Sequence, residues 1–119
     1  MKIIVQKFGG TSVASEEARV AVKNKVQQAI RNGYSPVVVV SAMGRKGAPY
    51  ATDTLIGALK DVNLSVNVRE MDMMMCCGEI ISSCVMAATL QKYQYFQSYP
   101  FVGGRHHSGC LRLPGYDGK

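Results

Sequence analysis

Residues 35–44 read SPVVVVSAMG. Four β-branched valines in succession predict a strand at Val37–Val40, because branching at Cβ favours extended backbone. No polar residue alternates with them, so both faces of the strand are expected to be covered, as in the interior of a parallel sheet. Upstream, residues 2–6 read as a second short strand, and Val13–Asn32 reads as a helix with Ala18, Val22, Val26, Ala29 and Ile30 at helical spacing. Ser12 or Ser15 can cap that helix, Glu16 and Glu17 suit its positive end, and Gly33 suits its far end. Strand, helix and strand in this order predict a right-handed βαβ unit.

Beyond the valine strand, GRKGAPYATD reads as a loop rich in glycine and charge, followed by a helix from about Thr52 to Lys60. A longer helix is expected from about Arg69 to Gln91. Its Met71, Met74, Met75, Ile81, Val85 and Ala88 fall near one face and read as core packing, although the segment is apolar nearly all round. After Lys92 the composition changes. Five of the nine aromatic residues lie within Tyr93–Phe101, and no sustained period runs from there to Lys119.

The chain has 119 residues, 47% of them apolar, which suits one small domain and argues against disorder. No unbroken apolar run approaches the roughly 18 residues of a membrane span. The N-terminus enters a strand at once, so no signal peptide is read and a cytoplasmic location is expected. Cys76, Cys77 and Cys84 form no CxxC pair and read as reduced structural thiols. The net charge of +6 admits anionic partners without choosing among them.

Lys7-Phe8-Gly9-Gly10-Thr11-Ser12 sits where a strand passes into a helix. Glycines there let backbone N–H groups approach an anion, and Lys7 would add a compact charge suited to phosphate oxygens. The spacing is neither a Walker loop nor GxGxxG, and a turn that binds nothing fits it as well. Ser41 follows the second strand at the edge where open α/β sheets bind ligands, or is a simple turn residue. Thr52 and Asp53 read as helix caps. Glu79 is a carboxylate in apolar surroundings, which calls for a salt-bridge partner or a substrate contact. His106-His107 have no further ligand at metal-binding spacing, so no metal site is expected.

Taken together, VQKFGGTSVA, VVVVSAMGRKGAPYATDTL and REMDMMMCCGEIISSCVMAATL resemble, in order, three blocks of the aspartokinases of the bacterial lysine/diaminopimelate pathway. The resemblance spans residues 1 to about 91. It implies part of the three-layer αβα sandwich of the amino-acid kinase (carbamate kinase-like) fold, with ATP and Mg2+ as cofactors and L-aspartate as substrate. It also implies that Lys7 and the Phe8, Gly9 and Gly10 backbone hold ATP phosphates, with Lys7 catalytic. Ser41 and Thr52 match positions lining the aspartate pocket, and Glu79 matches the glutamate that meets the substrate ammonium group. No nucleic acid or membrane partner is implied, and full-length members are expected to be oligomeric.

Residues 1–92 thus read as the N-terminal part of a kinase domain and residues 93–119 as a tail outside the pattern. A later glycine-rich segment, further acidic residues and a substrate-binding arginine of the family have no counterpart here. Read one base later, the codons of Gly104–Gly118 can encode Ala-Gly-Ile-Ile-Pro and Ser-Asp-Tyr-Arg-Asp-Met-Thr-Gly, which resembles the family's continuation. A frameshift is therefore the expected origin of the tail. The expected activity is aspartate kinase, incomplete in this chain alone; the alternative is a non-catalytic fragment that binds full-length subunits.

Overall fold

The computed structural model describes residues 1–93 throughout and the backbone of residues 99–102 and 109–112. Strand β1 spans Lys2–Phe8, β2 Tyr34–Val40, β3 Tyr99–Val102 and β4 Gly109–Arg112, in the sheet order β1-β2-β4-β3. The first two run parallel, with Val5 opposite Val37 and Phe8 opposite Val40. Both are longer than their sequence pattern suggests. β4 lies antiparallel to β2 and to β3, in the stretch where the sequence shows no period.

The helix expected over Val13–Asn32 is broken at a corner. Helix α1 spans Gly10–Val13 and α2 spans Glu16–Arg31. Ser15, in extended conformation between them, accepts a hydrogen bond from Ala18 N–H at 3.1 Å, so Ser15 rather than Ser12 caps α2. The corner is closed by Arg19, whose Nη1 donates to the Val13 carbonyl at 2.9 Å. Gly33 ends α2 with φ +79°, the left-handed conformation that glycine adopts without penalty.

Helix α3 spans Thr52–Val62 and lies against α4, which spans Val68–Lys92. α2 and α4 cover one face of the sheet. There Phe8, Val38 and Val40 from the strands pack with Val13, Val22, Val26, Met86, Ala87 and Leu90. The other face of β1 is open, with Ile3 58% and Val5 65% exposed. Among the described residues the sandwich therefore has a sheet and one helical layer, a partial form of the α/β architecture.

Helix α4 departs from expectation in phase. Its buried residues are Gly78, Glu79, Ser82, Ser83, Met86, Ala87 and Leu90. Met71, Met74, Met75, Ile81 and Val85 are only half-buried and Ala88 is exposed, so the methionine stripe is not the core-facing one. A helix apolar on all sides has no strong stripe to announce its orientation, and packing decides it. By length and composition α4 could also cross a membrane, a point that counting unbroken apolar runs misses. Its Met86 and Leu90 are instead in the core against the sheet. The thiols of Cys76, Cys77 and Cys84 are free, and Cys77 and Cys84 are exposed rather than structural.

Candidate functional site

Because Phe8 pairs with Val40, β1 and β2 run out side by side. The chain leaves each strand through a glycine-bearing segment, and main-chain hydrogen bonds join the two. Ser41 N–H donates to the Phe8 carbonyl at 3.2 Å, and Gly44 N–H donates to the Gly10 carbonyl at 3.0 Å. A Cβ at position 10 would overlap the Ala42 carbonyl oxygen and stand 2.8 Å from the Gly44 carbonyl oxygen. Only a residue without a side chain permits that approach. Gly9 is different: its φ of −72° is ordinary and the space beside it is open.

A third element arrives at the same place. A Cβ at Gly78 of α4 would lie 3.2 Å from both the Ala42 Cβ and the Tyr50 carbonyl oxygen, and 2.8 Å from Leu55 Cδ1. Ala42, itself buried, is thus held between Gly10 on one side and Gly78 on the other. Glu79 follows Gly78 directly and is 5% exposed. Its carbonyl accepts the Ser83 hydroxyl at 2.9 Å.

The structure therefore brings Gly10, Ala42 and Gly78 together from stretches far apart in sequence, with Gly9, Ser41 and Glu79 as their immediate neighbours along the chain. Thr52, half-buried, lies two residues beyond the Tyr50 carbonyl that abuts Gly78. Neither Thr52 nor Asp53 caps α3. The cap is Ala51, whose carbonyl accepts from Thr54 and Leu55 N–H at 3.0 Å each. Phe8 is buried on the helical face, whereas Lys7, one residue earlier, is exposed on the open face beside Val39. Lys7 thus lies on the open face of the sheet, whereas Glu79 belongs to α4 on the helical face.

Two contributors escape a reading of the sequence. Thr54 Oγ1 accepts the Gly47 N–H at 3.2 Å and pins the loop between β2 and α3. Gly78 makes the close crossing of α4 possible; its only sequence signal is an isolated glycine inside a helix. His106 and His107 lie outside the described residues. Among the described residues no three His, Cys, Asp or Glu side chains converge in a way that could hold a metal ion.

Comparison with known proteins places this geometry. A model of the amino acid kinase family matches residues 2–115. The chain belongs to the amino acid kinase family. Within it, the chain is similar to aspartokinase 1 of Bacillus subtilis (strain 168), 53% identical over 90 residues that cover 76% of this chain and 22% of that protein. It is 43% identical to the aspartokinase of Geobacillus stearothermophilus over 95 residues, 80% of this chain and 22% of that one. The solved aspartate kinase from Synechocystis superposes with a TM-score of 0.71 and 38% identity, over 79% of this chain and 15% of that chain. This amino acid kinase chain therefore spans about a fifth of the length of the curated relatives it matches.

Proposed function

We propose that the strand exits and α4 form one side of an aspartate kinase site, which transfers the γ-phosphoryl group of ATP to the side-chain carboxylate of L-aspartate and yields 4-phospho-L-aspartate. The observation that carries the reading is the convergence of Gly10, Ala42 and Gly78, since it assembles three separate stretches at one sheet edge. The fit to a polyphosphate is favourable. Beside Gly9 the space is open, so no side chain stands between main chain and ligand there, and Lys7, one residue before the end of the preceding strand, is exposed. Bound there, Mg-ATP supplies the phosphoryl group. Because no metal-holding cluster is found among the described residues, Mg2+ is taken to enter with the nucleotide.

Within this reading Lys7 and the Phe8–Gly10 backbone position the phosphates and offset their charge, which is most of what phosphoryl transfer asks of a protein. Ser41 and Thr52 offer hydroxyls to the aspartate carboxylates. Glu79 offers a carboxylate to its ammonium group from a site that excludes water. The biosynthetic setting is the first committed step toward lysine, threonine and methionine, and the compartment is the cytoplasm.

A second reading, a fragment that docks on full-length subunits, is favoured by the exposed Ile3 and Val5 face. The same preparation tests both. Titration calorimetry of the whole chain should detect Mg-ATP, with Lys7→Gln weakening it by roughly tenfold or more, as expected for a lost charge-assisted contact. Glu79→Gln should weaken L-aspartate. A coupled assay should show turnover only once a full-length family member is added. Nucleotide affinity indifferent to Lys7→Gln would end the kinase reading.

A further inference from the structure

Among the described residues the buried polar side chains are Glu79, Ser82 and Ser83, all on α4. The two serines are adjacent and equally hidden, yet they are used differently. Ser83 Oγ donates to the Glu79 carbonyl at 2.9 Å, one turn back, as Thr89 Oγ1 donates to the Val85 carbonyl at 2.8 Å. Ser82 is 0% exposed, and its Oγ makes no hydrogen bond. Buried hydroxyls are nearly always satisfied, and one that is not lowers stability without holding anything in place. An alanine would fill the position without that loss.

The place of Ser82 on the helix indicates what its hydroxyl serves. Helical spacing sets it on the buried face between Gly78 and Glu79, one turn further on. Side chains on a helix lean toward its N-terminus, so the hydroxyl reaches back over the turn that those two residues form. On the Gly78 side there is no side chain, and Ala42 and the Tyr50 carbonyl cross closely there. On the other side is Glu79. Ser83 is already engaged, and Met86, Ala87 and Leu90, the remaining buried residues of α4, carry no side-chain oxygen or nitrogen. The Glu79 carboxylate is therefore the buried side-chain acceptor within one turn of Ser82. Because Ser82 is shut off from solvent, it acts through that carboxylate and not on a ligand directly.

We infer that Ser82 is a positioning residue for Glu79: when the carboxylate turns to an amino-acid ammonium group, the Ser82 hydroxyl donates to it and fixes its orientation. Hydrogen bonds at such sites commonly close only in the complex, and one to a charged acceptor is about twice as strong as one between neutral groups. The inference rests on the substrate-binding reading of Glu79.

The test titrates the whole chain with L-aspartate and, separately, with Mg-ATP, and follows urea melts of the same variants. Ser82→Ala should weaken L-aspartate by roughly tenfold with Mg-ATP affinity unchanged and a melting midpoint no lower than wild type. Ser83→Ala, which loses a hydrogen bond that is made, should do the reverse: a lower midpoint, with L-aspartate affinity close to wild type. Ser82→Thr keeps the hydroxyl and should recover most of the affinity. If its extra methyl prevents folding, a double variant decides. Glu79→Gln combined with Ser82→Ala should bind L-aspartate no more weakly than Glu79→Gln alone, since the hydroxyl acts only through that carboxylate. Additive losses overturn the positioning role, as does a Ser82→Ala variant that loses midpoint and affinity together. Should Glu79→Gln weaken L-aspartate while Ser82→Ala does not, the inference fails and the reading of Glu79 stands. Should neither matter, or should the wild-type chain take up no L-aspartate, both fall.

Discussion

The carbonyl oxygen of Ala42 rests directly against the Cα of Gly10, closer than any Cβ at position 10 would allow. Two loops that leave neighbouring strands are thereby packed main chain to main chain. Gly10→Ala should accordingly destabilise the chain by about 1–3 kcal/mol through overpacking. Gly9→Ala, with open space beside it, should change stability by less than about 0.5 kcal/mol. Urea melts of the two variants check the contrast, and equal midpoints would contradict the packing described.

The turn that carries Arg45 depends on Thr54. Thr54→Val removes the acceptor for the Gly47 N–H while keeping the shape of the side chain. A loss of about 1 kcal/mol is expected, with faster amide exchange at Gly47 and little change at the Ser15 cap. Hydrogen exchange followed by NMR would show whether the effect stays local.

Helix α2 begins with a pH-sensitive cap. The Glu17 carboxyl is held below the usual carboxylate range, first by a hydrogen bond from its own backbone N–H, then by the Ser15 hydroxyl and by the nearby Arg19 charge, against a small opposing effect of desolvation. A depressed folded-state value means that the unfolded chain takes up the proton first. The stabilisation is therefore present above the ordinary value near 4.5 and is lost as pH falls through the lowered one. Ser15→Ala should cost about 1 kcal/mol at neutral pH, and should move the Glu17 titration upward in a carboxyl-resolved NMR series.

The two faces of β1 should respond oppositely to substitution. Phe8→Ala empties a site in the core and should cost about 3–5 kcal/mol, enough to abolish a cooperative melt in so small a chain. Ile3→Lys and Val5→Thr lie on the open face and should cost less than about 0.5 kcal/mol each while reducing aggregation. Light scattering alongside the melts separates the two effects.

The frameshift proposed for residues 93–119 makes a prediction about the gene. Shifted by one base, the nucleotides encoding Gly104–Gly118 should read Ala-Gly-Ile-Ile-Pro and then Ser-Asp-Tyr-Arg-Asp-Met-Thr-Gly. Sequencing the gene checks this directly, and codons that cannot yield those residues remove the idea.

Local chemistry made the βαβ start of this chain legible. Valine branching marks β2, the recurrence of Val22 and Val26 marks α2, and Gly33 at its end takes the left-handed conformation that it suits. The three blocks around Lys7, Ser41 and Glu79 also pointed to the family before any coordinate. What the pattern could not supply was phase and proximity. A helix as uniformly apolar as α4 leaves its orientation to packing, so its core face became Glu79, Ser82, Ser83 and Met86 rather than the methionine stripe. A helical period cannot register a corner such as Ala14–Ser15, which is closed by a hydrogen bond from Arg19 to Val13. Thr52 looked like a cap because its side chain can cap, yet the strand-to-helix loop delivered Ala51 to that position instead.

Sequence alone, then, determined the parallel strand pair, the helix between them and the identity of the chemical groups at hand, because each depends on residues close along the chain. Tertiary structure alone decided that Gly10, Ala42 and Gly78 meet and that Lys7 is left on the open face of the sheet while Glu79 is buried on α4. Such distances are set by the closest approach of backbones from separate elements, and no local preference encodes them.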